Sequence, residues 1–203
     1  SQLSGVVALT ANTVTNNAQP NITTVGTLTS LSLSSNNVTL GNSSIPSANA
    51  IALGYNAFGA YSAVSIGYGA GAYFANTANL ATFSVAIGHL AGHGNARGDG
   101  SIAIGSGAGV NQGANSIAIG RNSGVGSITA GANAVAIGHL AGVQSLHNNS
   151  IVINATGTNL NTAGANTFNV KPIRSAPNPQ LLYYDPTTGE VTYNPGTGFS
   201  PSG

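Results

Sequence analysis

The chain of 203 residues contains no cysteine, no methionine and no tryptophan. Without cysteine it has neither a disulfide framework nor a thiolate metal site. Charge is nearly missing as well. Four Lys or Arg and three Asp or Glu make up 3% of the chain, against roughly a quarter in an ordinary soluble protein. None of them precedes Arg97. A net charge of +1 with no basic cluster leaves no electrostatic footprint for nucleic acid or an anionic membrane. No apolar run approaches the roughly 18 residues of a membrane-spanning helix, so no membrane insertion is expected. The sequence opens on Ser1 with no initiator methionine or signal peptide, and reads as a processed or excised piece. The three carboxylates are Asp99, Asp185 and Glu190. The last two flank one turn, where capping or solvation accounts for them better than acid–base chemistry. No Ser sits in a Gly-x-Ser-x-Gly elbow with a matching His and acid. The expectation is a protein that is not an enzyme and has no cofactor.

What fills the chain instead is a repeat. One phrase returns as Val38-Thr39-Leu40-Gly41, Ile51-Ala52-Leu53-Gly54, Val64-Ser65-Ile66-Gly67 and Val85-Ala86-Ile87-Gly88. It continues as Ile102-Ala103-Ile104-Gly105, Ile117-Ala118-Ile119-Gly120 and Val135-Ala136-Ile137-Gly138, and ends as Ile151-Val152-Ile153-Asn154. The turn positions are 13, 13, 21, 17, 15, 18 and 16 residues apart, a minimal coil with insertions. Three residues after each turn stands a small residue: Ala57, Ala70, Ala91, Ala108, Ser123 or Ala141. Two branched residues two apart share one face of a strand, and a glycine with free φ ends it. Asn154 in the last copy is expected to keep the positive φ that glycine supplies.

These units cannot bury a face alone, so the fold class expected is all-β: a parallel β-roll or β-solenoid of short coils stacked about 4.8 Å apart. In it the aliphatic pairs are expected to form the inward ladder. The small residues between them (Ala52, Ser65, Ala86, Ala103, Ala118 and Ala136) are expected on the outer face, approached by a neighbouring copy.

The phrases Ser101-Ile102-Ala103-Ile104-Gly105, Ser116-Ile117-Ala118-Ile119-Gly120 and Asn133-Ala134-Val135-Ala136-Ile137-Gly138 resemble the head repeat of YadA-like trimeric autotransporter adhesins. The resemblance covers about residues 38–157. It implies a left-handed parallel β-roll, a homotrimer and attachment to a host surface. The flanks differ. Residues 1–37 carry Ile22, Val25, Leu28 and Leu31 at every third position and read as an extended shaft or linker. The stretch from Gln19 to Leu31 resembles a linker of phage and large-virus fibre proteins. Residues 158–203 hold Leu181-Leu182-Tyr183-Tyr184 and Glu190-Val191-Thr192-Tyr193 around Asp185-Pro186-Thr187-Thr188-Gly189. This is the pattern of a β-hairpin. It resembles the segment preceding the intramolecular chaperone of endosialidase-type tail fibres.

The resemblances together imply a structural and adhesive fibre protein of a virus or phage, extracellular on the virion surface. Its partners would be two further copies of itself and a host-surface glycan or protein receptor. Alternatives are a bacterial trimeric adhesin head on the cell surface and a monomeric ice- or polysaccharide-binding β-solenoid. Aromatic and charged residues in the insertions, Tyr73, Phe74, Phe83, His93, Arg97 and Asp99, are the receptor-contact candidates. His89 and His139 each follow a turn glycine. They are three rungs or roughly 14 Å apart, so one chain cannot bring both to one ion.

Overall fold

The computed structural model describes residues 38–40, 45–46, 49–72, 82–94, 98–126, 131–175 and 181–194. Among them there is strand and turn but no helix. Each repeat phrase forms one short strand: β1 (Val38–Leu40), β3 (Ile51–Leu53), β5 (Val64–Ile66), β6 (Val85–Ile87), β7 (Ile102–Ile104), β8 (Ile117–Ile119), β9 (Val135–Ile137) and β10 (Ile151–Asn154). With β11 (Phe168–Lys171) they build a parallel sheet of nine strands in chain order. The register follows the repeat, with Ile102 opposite Ile117 and Ile104 opposite Ile119, so the sequence spacing is the coil length. β2 (Ile45–Pro46) and β4 (Phe58–Gly59) pair in parallel on the return side. Further along, the return is bent, yet it keeps rung-to-rung bonds such as Gly92 N–H to Ala108 O and Gly109 N–H to Ser123 O, both 2.8 Å. The architecture is a parallel β-solenoid.

The inward assignment of the aliphatic pairs is reversed. Ala52, Ser65, Ala86, Ala103, Ala118, Ala136 and Val152, the middle residues of their strands, are completely buried. Their aliphatic neighbours on either side are half-buried or exposed. The small residues after each turn, Ala57, Ala70, Ala91, Ala108, Ser123 and Ala141, are buried too. Ala86, Ala103 and Ala118 cluster with Ala70, Ala91 and Ala108. A coil of 13 to 21 residues returns so soon that its two walls are held a methyl group apart. Interiors close-pack, so this one takes Ala and Ser, and the bulky pairs must point out. The small in-between residues are therefore the core. Among the described residues, the coil of β7 also admits the fully buried Gln112, whose Nε2 donates to Ile102 O at 3.1 Å, and the last coils take Leu146, Val152 and Leu160 into the interior.

The turn glycines form their own column. Gly54, Gly67, Gly88, Gly105, Gly120 and Gly138 have φ between 109° and 130°, a region almost closed to other residues. Each also lies against the next: a Cβ on Gly88 would stand 2.7 Å from the Gly105 carbonyl oxygen. Gly41 falls outside the described residues. Asn154 departs from the expectation. It is the extended end of β10, paired with Lys171, and it is absent from the positive-φ positions. Its buried amide instead donates to His139 O at 2.8 Å and Thr158 O at 2.6 Å, and accepts from Thr156 Oγ1 at 2.7 Å. It serves by hydrogen bonding rather than by φ.

A second column precedes each strand by two residues. Asn115, Asn133, Asn149 and Asn166 all have φ between 54° and 61°, the left-handed region that Asn tolerates best after glycine. Their side chains run as a ladder, Asn133 Nδ2 donating to Asn149 Oδ1 at 3.3 Å and Asn149 Nδ2 to Asn166 Oδ1 at 3.1 Å. Asn133→Ala should cost about 1–2 kcal/mol from the φ penalty and the lost bonds. Asn133→Gly, which restores the φ, should recover part of it in urea unfolding. Equal midpoints for all three proteins would show that the corner does not depend on Asn.

The parallel sheet passes the boundary expected at 157, since β11 adds a further rung. Beyond it β12 (Leu181–Tyr184) and β13 (Val191–Asn194) pair antiparallel. Asp185 closes their turn by accepting from Thr187 N–H at 2.7 Å, and Gly189 takes φ 75°. The extended reading of residues 1–37 lies outside the described residues.

Candidate functional site

The reversal places the aliphatic residues on the outside, and there they form a surface. Two columns run along the parallel sheet. One holds Ile51, Val64, Val85, Ile102, Ile117, Val135, Ile151 and Phe168, and the other Leu53, Ile66, Ile87, Ile104, Ile119, Ile137, Ile153 and Val170. These eight rungs span roughly 34 Å at the inter-strand spacing. Exposure grows toward the later rungs, from half-buried at Ile102 to 41% at Ile151 and 64% at Phe168. No charged side chain interrupts either column. A contiguous apolar face of this length is uncommon on a soluble monomer.

Beside it, immediately after the turn glycines, a ring ladder runs along the edge. Tyr55 stacks on Tyr68 with centroids 5.4 Å apart, and Tyr68 on His89 at 5.3 Å, each pair within 15° of parallel. His89 is thus one step of a stack. Ser106, Arg121 and His139 occupy the same post-turn position in later coils. The rings sit 13 and 21 residues apart in sequence and meet only when the coils are aligned. The position after each glycine was the signal that would have found the tyrosines. Among the described residues no three of His, Asp or Glu converge as a metal site would require.

At the opposite end of the strands, the corner that opens β6 and β7 holds two receptor-contact candidates. Phe83 has φ 53°, unusual for an aromatic residue, and is 67% exposed. Its ring meets Tyr61 edge to face at 6.1 Å. Asp99 belongs to the next rung, and its Oδ1 accepts the N–H of Thr82 at 2.8 Å, so Phe83 and Asp99 share this corner. His93 stands apart on the return segment, bonded through its backbone to Leu90 and Asn111. Partial burial holds its imidazole below the usual value. Tyr73, Phe74 and Arg97 lie outside the described residues. The corner joins an exposed ring to a carboxylate.

No family model, no curated protein and no solved structure matches this chain.

Proposed function

We propose that the chain is a segment of a homotrimeric fibre of a virus or phage. Three solenoids pack their aliphatic faces around a common axis, and the outer corners meet the host surface. The observation that carries this reading is the uninterrupted double column of outward Ile, Val and Leu. Covering one half-exposed side chain contributes on the order of 1 kcal/mol. Two such side chains on each of eight rungs outweigh an association cost of roughly 4–15 kcal/mol. Stacked coils make a stiff rod, and three copies multiply weak receptor contacts by avidity. The fibre-like flanking sequences favour a virus or phage over a bacterial adhesin head as the bearer.

Sedimentation equilibrium of the chain should give three times the monomer mass of 19.9 kDa. Ile104→Asp together with Ile119→Asp should leave a folded β-rich monomer, because both side chains point out of the coil and their carboxylates stay hydrated once the copies separate. A parent protein that is monomeric at every concentration removes the fibre reading and favours a solitary glycan- or ice-binding solenoid. Loss of the β signal in the double variant would place these residues inside the coil after all.

A further inference from the structure

We infer that the C-terminal hairpin is a second self-association element, which clasps the hairpins of neighbouring copies where the solenoid ends. The inference rests on the trimeric reading above and adds to it a surface that the solenoid does not contain. Its first ground is that no other described strand supports the hairpin. Among the described strands, β12 and β13 contact only each other, and an isolated pair of strands is marginal in water. Yet Leu182, Tyr183, Tyr184 and Val191 are in the open. Leu182 and Tyr184 share one face of β12, and Val191 lies directly across from Tyr184. They are 76%, 66% and 58% exposed. A face of this kind is stable only when covered.

The second ground is charge, and it points to another copy as the cover. Four of the seven charged residues of the chain lie between Lys171 and Glu190. Lys171, the end of β11 on the last rung, and Arg174 just after it are exposed, and so are Asp185 and Glu190, which flank the hairpin's turn. In a chain almost without charge, a basic end of the last rung and an acidic hairpin turn are complementary between copies. A hairpin that leans across onto the next copy brings its acidic turn to the basic end of that copy's last rung. The third ground is placement. Residues 172–180 tether the hairpin to the last rung by at most roughly 30 Å of extended chain. Copies related by rotation about the stacking axis therefore deliver all their hairpins to the same end.

The test uses the full chain. Leu182→Ser with Val191→Ser should raise the concentration at which trimer falls to monomer at least tenfold in sedimentation equilibrium, with the solenoid's β signal kept. Glu190→Lys alone and Arg174→Glu alone should each weaken the trimer, and the two together should restore it. Both are exposed, so neither threatens the fold. A trimer indifferent to all four variants overturns the clasp while leaving the fibre reading intact. A parent chain that never leaves the monomer overturns both. Weakening by each charge variant without recovery in the pair rules out the contact between the hairpin turn and the neighbouring last rung and overturns the clasp.

Discussion

Gly105→Val is expected to unfold the stack around β7 and β8, at a cost of about 4 kcal/mol, and Gly105→Ala to cost nearly as much. Two effects of similar size add. At φ 126° a side chain is strained by about 1–3 kcal/mol wherever it stands. The new Cβ would in addition lie 2.8 Å from the carbonyl carbon and oxygen of Gly120. That neighbour is backbone, fixed by the bond from Gly120 N–H to Ile104 O at 2.8 Å, so it can yield only by opening the rung. The same bond recurs from Gly105 to Ile87 and from Gly138 to Ile119, which carries the damage to both sides. Since Ala already has the offending atom, the branch of Val adds little. Thermal unfolding decides the matter: an Ala variant that melts with the parent protein would show that neither φ nor the close approach holds this turn.

Strand positions and coil lengths were legible because the phrase Ile-Ala-Ile-Gly carries both a period of two and its own stop. The hairpin was legible because Asp185 and Gly189 are the residues its turn demands. Which side of the strand faces inward was not. Alternation shows that Ile102 and Ile104 share a face and that Ala103 lies on the other. It does not say which face meets the return wall. The rule that bulky apolar residues go inside gave the wrong answer, because it assumes an interior wide enough to receive them. The contrary signal was there. Ser101 before β7, Ala103 within it and Ala108 after its turn are all small and all buried. Three small positions in one coil mark a narrow interior.

The same narrowness explains how much of the candidate site was hidden. Once the core is built from methyl groups, whatever recognises a partner must come from the bulky remainder: the aliphatic face, the Tyr55–Tyr68–His89 edge and the corner of Phe83. Phe83 was legible as an aromatic residue in a polar insertion. Its left-handed backbone was not, because that position is usually filled by Asn in the other coils, as at Asn115, Asn133 and Asn149. Here Phe83 takes that strained position with its ring packed edge to face on Tyr61 at 6.1 Å and most of the ring still in water. Strain of this sort gathers at recognition surfaces.

Neighbouring substitutions should then have effects opposite to those that hydrophobicity suggests. Ala118→Leu is expected to destabilise the chain by about 2–3 kcal/mol, the cost of overpacking a filled interior. Ala118 is fully buried, and a Cβ added to Gly124 on the facing wall would already stand 2.8 Å from its methyl. Above and below, Ala103 and Ala136 occupy the same column in register. A leucine has no direction in which to extend without parting the walls or breaking the rung. Ile119→Ala, one residue on, deletes three side-chain carbons from a residue that is 37% exposed. It should leave the unfolding of a dissociated chain nearly unchanged while weakening the association of copies. Enlarging a buried apolar position therefore harms the fold, and shrinking the adjacent one harms only assembly. Urea unfolding of both variants below the concentration at which copies associate separates these outcomes. If Ile119→Ala proves the more damaging there, the aliphatic pairs line the coil interior and the outward face does not exist.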